Sequence, residues 1–226
     1  MKELIKTYVD NLQETLARLP MAQIERAIET LIDAQWSRRT VYIFGNGGSA
    51  STSSHFACDL GKNTALSGLP RLRVISLTDN VELITAWAND TAYEHIFAEQ
   101  LRGLVEPGDV VIGISGSGLS ANVLNGITLA RRIGATTIGF TGFDGGLLAG
   151  MVDISIVVPS DSMERIEDVH LILEHLICST IRESQQRQAS LVSELDSELI
   201  KEPQAELGTG ALEPVTQSGK PQVNPL

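Results

Sequence analysis

The chain has 226 residues, of which 42% are hydrophobic and 20% charged, a composition ordinary for a soluble globular protein with one substantial core. Its formal net charge of -11 argues against general nucleic-acid binding, because such proteins gather lysine and arginine against phosphates. No apolar run approaches the roughly 20 residues of a membrane helix. The N-terminus is a charged helical pattern without the apolar centre of a signal peptide, so we expect a cytoplasmic protein.

The first 37 residues predict two amphipathic helices. Apolar side chains recur at the helical period from Leu4 to Leu16 and again from Ile24 to Ile32, with Pro20 between the two stretches. A doubly wound sheet does not require such a pair, so we expect these helices to pack partly against another subunit. The alternative is that both helices simply cover their own sheet.

Five short β-branched runs alternate with helical stretches between residues 40 and 184. They are VYIF (41–44), RVISL (73–77), VVIGI (110–114), TTIGF (136–140) and ISIVV (154–158). Strands that are apolar throughout and alternate with helices indicate a parallel sheet covered on both faces. The predicted fold class is therefore α/β, a five-stranded parallel sheet sandwiched by helices, and a last long helix is expected from about Ser162 to Glu183.

Residues 188–226 differ in composition from residues 1–187, which we predict to form the folded domain. The segment holds six acidic residues against two lysines and four of the eight prolines, without an aromatic residue, which is typical of a disordered tail. The spacing of Leu191, Leu195 and Leu199 leaves a short helix open. Cys58 and Cys178 lie far apart without a CxxC arrangement, so we expect buried, reduced thiols.

Glycine and serine concentrate in three loops that follow predicted strands. The loops are GNGGSAS (45–51), SGSGLSAN (115–122) and TGFDGG (141–146). Ligands of such sheets bind beyond the carboxyl ends of the strands, where bare backbone and helix N-termini suit a phosphate. The first loop has neither the lysine of a P-loop nor GxGxxG spacing, so a phosphorylated small molecule is favoured over a nucleotide. Any one of these loops by itself would be interpreted as an ordinary turn.

Two pairs of side chains could serve proton transfer or metal binding. His55 and Asp59 are four residues apart and project from one face of a helix, although such a pair is more often a surface ion pair. Glu167 and His175 lie two turns apart on the last helix, so they meet at one point only if both side chains reach inward. An aldose–ketose isomerisation needs a base, an acid and stabilisation of an enediolate.

Five motifs in this order resemble the SIS (sugar isomerase) fold, a flavodoxin-like arrangement. They are GNGGSA…HFxxD, AND (88–90), ISGSGxSANV (114–123), TGxDGG (141–146) and RIEDVHxxxEH (165–175). Within this fold the chain is most similar to the phosphoheptose isomerases, from the first helix to about Glu183. The resemblance implies a homo-oligomeric enzyme of heptose biosynthesis, which we expect to be a tetramer. This enzyme would interconvert D-sedoheptulose 7-phosphate and D-glycero-D-manno-heptose 7-phosphate.

The resemblance also implies roles for individual residues. One Zn²⁺ per subunit would be held by His55, Asp59, Glu167 and His175, a set that manganese or iron would also accept. Asp59 would be the base and His175 its partner. The implied substrate contacts are Asn46, Gly47, Gly48, Asp59, Asn89, Asp90, Ser115, Gly116, Ser117, Ser120 and Glu167.

The sequence departs from the family at two of these positions. Asp59 stands where the best-known members carry glutamate, and the shorter side chain predicts a slower reaction unless the backbone compensates. Glu167 replaces a neutral amide, and its charge predicts tighter metal binding with a weaker Lewis acid.

Two other functions stay open: a non-catalytic SIS protein that binds the bacterial replication initiator, and a module that senses sugar phosphates. The initiator-binding branch lacks the first-helix carboxylate, whereas Asp59 retains one here.

Overall fold

The computed structural model describes the backbone of residues 1–199 and the side chains through Leu191. All five predicted strands are present: β1 Thr40–Gly45, β2 Arg73–Ser76, β3 Val110–Ile114, β4 Thr136–Thr141 and β5 Ile154–Val157. They pair in parallel, in the order β2-β1-β3-β4-β5. The α/β fold with a flavodoxin-like strand order is thereby confirmed.

Helices connect the strands and cover both faces of the sheet. They are α1 Lys2–Ala17, α2 Met21–Trp36, α3 Gly48–Lys62, α4 Val81–Asp90, α5 Ile96–Arg102, α6 Ala121–Ile133, α7 Gly146–Met151 and α8 Met163–Leu199, with one 3₁₀ turn at Tyr93–His95. Helices α1 and α2 precede β1, and this confirms the helical pair predicted for the N-terminus. No helix within residues 1–199 is long and apolar enough to cross a membrane.

Successive side chains of the central strand β1 enter different cores, as the period of two requires. In β1, Val41 and Ile43 pack into the cluster formed with α2, α3 and α8. Tyr42 and Phe44 enter the cluster on the other face, formed with α5, α6 and α7. Since both faces are covered, the central strands are apolar at nearly every position, which is why their short runs were visible in the sequence.

The N-terminal half of α1 has an apolar surface that the residues described by the structure leave open. Leu4 and Ile5 are 74% and 60% exposed, whereas Leu12 and Leu16 in the second half pack against the core. Tyr8 donates a hydrogen bond to the carboxylate of Asp168 on α8 and so links the two helices.

Two features differ from the sequence-based expectations. The helix expected to end near Glu183 continues to Leu199, because the leucines at four-residue spacing extend the helical pattern into the acidic segment. Cys178 is buried as expected but Cys58 is exposed, and neither forms a disulfide.

The chain divides into compact units at Met1–Gln188 and Ala189–Leu226. The predicted disorder of residues 200–226 lies outside the described residues.

Candidate active site and metal centre

Two of the glycine-serine loops begin at the point where the strand order reverses. The chain leaves β1 towards β2 and returns to β3, so the loops that follow β1 and β3 diverge from neighbouring strands. Gly45 at the end of β1 is paired with Ile114 at the end of β3. This is the position at which open parallel sheets bind their ligands, because the two crossovers leave a crevice between them.

An amide pair joins these two loops across the crevice. Asn46 Nδ2 donates to Asn122 Oδ1 at 2.9 Å, and Asn122 Nδ2 donates back to Asn46 Oδ1 at 2.8 Å. The Tyr93 hydroxyl donates to the same Asn46 oxygen at 3.0 Å. These three hydrogen bonds hold the predicted substrate residue Asn46 in one orientation. Sequence reasoning did not single out Asn122 and Tyr93, because no local spacing connects them to Asn46.

The loop between β3 and α6 is compact and braced by the loop that follows β4. The hydroxyls of Ser115 and Ser120 lie 3.0 Å apart, so both face one point at the N-terminus of α6. The Gly116 carbonyl accepts a hydrogen bond from the Gly142 amide at 2.9 Å. Ser117 is partly exposed on the same loop. Clustered hydroxyls at a helix N-terminus suit an anionic oxygen group, as the sequence predicts for Ser115, Gly116, Ser117 and Ser120.

The loop between β1 and α3 meets a side chain from α8. Gly47 has φ +55°, and Gly48 begins α3. A Cβ placed on Gly48 would lie 2.7 Å from a carboxylate oxygen of Glu167. Glu167 therefore occupies the space above the first residue of α3, and only glycine lets it approach so closely.

Four side chains from α3 and α8 converge on one point. His55, Asp59, Glu174 and His175 each offer one ligand atom, and these atoms all lie within 4.8 Å of one another. Asp59 Oδ2 lies 3.9 Å from His55 Nε2 and 4.0 Å from His175 Nε2. Glu174 Oε1 lies 3.4 Å from His55 Nδ1 and 3.8 Å from His175 Nε2.

The donor set fits a divalent metal ion. Tetrahedral ligands about 2.1 Å from a zinc ion lie about 3.4 Å from one another, so small side-chain movements suffice to close this cluster around an ion. Glu174 supports the fit, because its side chain is 0% exposed and neither carboxylate oxygen has a hydrogen-bond partner among the described side chains. A buried carboxylate without a hydrogen bond is costly, and a bound cation would offset that cost.

The electrostatics of the cluster follow from this burial. Loss of solvation, with a smaller contribution from the charge of Asp59, raises the pKa of Glu174 to about 8. One turn further along α8, burial together with the charges of Asp59 and Glu174 raises the pKa of the Cys178 thiol. The histidines are more open, since the side chains of His55 and His175 are 46% and 52% exposed. Glu174 therefore forms a buried side of the cluster, and the two histidines form a side that a substrate can reach.

The structure thus brings together three of the four residues predicted as metal ligands. His55 and Asp59 share one face of α3, as their spacing requires, and His175 joins them from α8. The fourth member of the cluster is Glu174, whereas Glu167 lies against Gly48. Glu174 could have been noticed as a carboxylate on the buried stripe of α8, next to Leu173.

The predicted substrate residues Asn89 and Asp90 lie at the C-terminal end of α4. Both side chains are exposed, and Asn89 Nδ2 donates a hydrogen bond to Asp90 Oδ1 at 2.8 Å. Their part in substrate binding stays a prediction.

Comparison with known proteins then identifies the family. A SIS domain family model matches residues 7–142. The phosphoheptose isomerase of Aliarcobacter butzleri is 40% identical over 174 residues, which are 75% of this chain and 90% of that protein. The chain belongs to the phosphoheptose isomerase family. A probable phosphoheptose isomerase of Thermoplasma acidophilum is 40% identical over 178 residues, 79% of this chain and 97% of that protein.

Solved structures agree with this assignment. The phosphoheptose isomerase of Neisseria gonorrhoeae is 31% identical with a TM-score of 0.73, over 80% of this chain and 98% of that one. That of Francisella tularensis is 30% identical with a TM-score of 0.72, over 80% of this chain and 97% of that one. The SIS domain match ends at residue 142, before α8, so that match does not bear on the α8 carboxylates.

A buried histidine close to the site predicts how stability depends on pH. His170 Nε2 lies 3.2 Å from the Thr141 carbonyl oxygen, and burial lowers the pKa of His170 from 6.5 to about 4. Below pH 6.5 the unfolded chain binds a proton at this position that the folded chain refuses, so stability falls as the pH falls towards 4. The expected loss from this one group is about 3 kcal/mol.

The prediction is checked by urea unfolding of the metal-free protein between pH 7 and pH 4. The His170→Gln variant keeps a donor for the Thr141 carbonyl and removes the titration, so its unfolding free energy should fall less with acidification. Parallel pH profiles for wild type and variant would contradict this role of His170.

Proposed function

We propose that the chain catalyses the reversible isomerisation of D-sedoheptulose 7-phosphate to D-glycero-D-manno-heptose 7-phosphate. The observation that carries the proposal is the convergence of His55, Asp59 and His175, in a chain of this family, beside loops suited to a phosphate. The reaction exchanges a carbonyl and a hydroxyl between C1 and C2 and consumes no oxidant or reductant. It needs only a base, a proton carrier and stabilisation of charge on two oxygens.

The side chains can divide these tasks. One oxygen of Asp59 would accept the proton from C1, while the electrons of the C–H bond form a double bond to C2. His175, whose Nε2 faces the cluster 4.0 Å from Asp59 Oδ2, would give a proton from its other ring nitrogen, Nδ1, to the oxygen on C2. In the second half His175 would take the proton from the oxygen on C1, and Asp59 would return its proton to C2, so that protons and electrons balance.

His55, Asp59, Glu174 and His175 would hold one zinc ion per subunit, a set that manganese or iron also accepts. Such an ion polarises the substrate carbonyl and stabilises negative charge on the neighbouring oxygens. The backbone of the β3–α6 loop, with Ser115, Ser117 and Ser120, would bind the phosphate. With the phosphate bound there, the sugar would lie in the crevice between this loop and Asn46, and its other end would reach Asp59.

A direct assay tests the proposal. Purified protein, loaded with zinc, is incubated with sedoheptulose 7-phosphate, and the aldose product is separated and quantified over time. We expect product formation that chelation abolishes and added metal restores. The absence of aldose product from metal-loaded, folded protein would eliminate the proposed activity.

We further propose that the protein is a cytoplasmic homo-oligomer, a tetramer. The exposed apolar half of α1 supports this, because Leu4 and Ile5 would be shielded by another copy of the chain. The carboxylate of Asp59 within the cluster favours an enzyme over a non-catalytic initiator-binding protein.

A further inference from the structure

Arginines concentrate at the amino ends of the strands, at the opposite end of the sheet from the candidate active site. Six of them flank the starts of β1, β2 and β4, and we call this group the basic edge: Arg38, Arg39, Arg71, Arg73, Arg131 and Arg132. All six are exposed, and none forms an ion pair with another described residue. In a chain with 28 acidic residues and a net charge of -11, this is a local excess of unpaired positive charge.

The arginines before β1 and at the start of β2 are direct neighbours. Thr40, the first residue of β1, is paired with Arg73, the first residue of β2. Arg73 Nη1 donates a hydrogen bond to the Arg38 carbonyl oxygen at 3.4 Å. The two segments therefore hold their guanidinium groups side by side.

The basic edge continues past β3 to the end of α6. A Cβ placed on Gly108, just before β3, would lie 3.1 Å from Arg39 Nε, so the Arg39 side chain reaches across to the next strand. The Gly108 amide donates to the carbonyl oxygen of Gly134, which directly follows the last turn of α6 with Arg131 and Arg132. Three strand spacings of about 4.8 Å give the row from β2 to β4 a length of about 14 Å.

The acidic residues at this end of the sheet do not neutralise the row. The buried carboxylate of Asp109 accepts hydrogen bonds from the backbone amides of Thr40 and Glu106, both at 2.9 Å. It is thus turned inward, towards the loops. Asp33 and Glu106 are exposed nearby, but neither pairs with any of the six arginines.

An exposed aromatic ring lies beside these charges. Trp36 is the last residue of α2 and is 54% exposed. Gln35 Nε2 donates to the Pro70 carbonyl oxygen at 2.7 Å, which fixes the end of α2 beside the loop that carries Arg71. A large ring left in water next to unpaired guanidinium groups offers a face on which a planar group can stack.

Arg38 also occupies a position that favours glycine. Its φ is +55°, its amide donates to the Gln35 carbonyl oxygen at 3.3 Å, and the Arg39 amide donates to the Ala34 carbonyl oxygen at 2.9 Å. This is a helix ending that usually has glycine in the left-handed conformation. An arginine there costs conformational energy that glycine would avoid. Such strain is concentrated at functional sites, and here the strained residue supplies one charge of the basic edge.

We propose that the basic edge binds single-stranded nucleic acid, with the arginines on successive phosphates and a base stacked on Trp36. Arginine presents a planar fork that matches phosphate, and an aromatic face accepts any base. An acidic peptide would use the same arginines but would leave the Trp36 ring without a planar partner. The net charge of -11 opposes nucleic acid over most of the surface, but charges more than about 8 Å apart are largely screened at physiological ionic strength. Because this edge lies at the other end of the sheet, the inference is independent of the proposed isomerase activity.

Fluorescence anisotropy of labelled twelve-nucleotide oligouridylate and oligothymidylate tests the proposal with the full chain. Affinity is measured between about 50 and 200 mM salt, and we expect binding of at least one strand that weakens as salt rises. Arg73→Gln should lower the affinity about fivefold and reduce the slope of log affinity against log salt by about 0.7, the value of one phosphate contact on a single strand. Arg18→Gln is the matched control, because Arg18 lies beside the β4–α7 loop at the carboxyl end of the sheet. It should bind within about twofold of wild type.

Two further variants separate stacking and folding from charge. Trp36→Leu should lose at least about fivefold in affinity while keeping the wild-type salt slope, because stacking releases no counterions. Arg38→Gly should weaken binding about fivefold and at the same time raise the urea midpoint of unfolding, since glycine relieves the left-handed conformation. A variant that merely damaged the fold would lower both quantities.

The proposal is overturned if the folded protein binds neither strand at 50 mM salt, or if Arg18→Gln loses as much affinity as Arg73→Gln. Unchanged binding by Trp36→Leu would remove the stacked base and with it the preference for nucleic acid. A labelled peptide of twelve glutamates is measured in parallel. If the peptide binds as tightly as the oligonucleotides, the partner of the basic edge is an acidic protein segment instead.

Discussion

Asp59→Asn is expected to lower kcat for sedoheptulose 7-phosphate by about 10³-fold, because an amide cannot accept the proton that the reaction removes from C1. Asp59 Oδ2 lies 3.9 Å from His55 Nε2 and 4.0 Å from His175 Nε2, and the side chain is only 15% exposed. Water therefore has little room to take over as the base. The measurement is the initial rate at saturating substrate, with bound zinc quantified in the same sample.

Two further variants separate the loss of the base from other effects. Asp59→Glu retains a carboxylate on the same face of α3, so it should keep far more activity than the amide. Asp33→Asn changes an exposed aspartate at the end of α2 and should leave the rate within about twofold of wild type. A metal-loaded Asp59→Asn enzyme with wild-type kcat would show that the base is another residue.

Gly118→Ala is expected to destabilise the protein by at least about 3 kcal/mol, the largest effect on stability that we predict for a single methyl group. Gly118 has φ +65°, and an added Cβ would lie 2.1 Å from the Gly145 carbonyl oxygen. The atoms that the added Cβ would meet, in Gly145 and Gly146, are all backbone atoms, so no side-chain rotation relieves the contact. The β3–α6 and β4–α7 loops would have to separate, which would also weaken phosphate binding at Ser115 and Ser120.

Urea unfolding of Gly118→Ala measures this cost, and calorimetry with inorganic phosphate measures the effect on the site. Gly61→Ala is the matched control, because Gly61 lies within α3 and a Cβ there would have no atom within 4 Å. That variant should gain about 0.5–1 kcal/mol from the higher helix propensity of alanine. Equal stability of the two variants would mean that the loops are not packed as described.

Much of the fold could be predicted because its signals are local. Each buried strand is a short β-branched run, and the alternation with helices indicates a parallel sheet before any contact is known. The end of α8 was placed too early for a local reason too, because the four-residue spacing of Leu191, Leu195 and Leu199 indicated at most a separate short helix in an acidic, proline-containing segment. The exposure of Cys58 was also missed, because no spacing of its own marks the open face of α3.

The candidate site divides in the same way. The position of His55 above Asp59 follows from 3.6 residues per turn, so the sequence by itself determined that pair, and the glycine-serine loops likewise follow directly after their strands. The position of α8 along its own axis, relative to α3, decides which α8 side chains meet His55 and Asp59. Packing of the whole core sets that position. A shift of two turns would exchange Glu167 for Glu174 without altering any local pattern. Only the tertiary structure could decide between the two carboxylates, because helical periodicity places both on the same stripe.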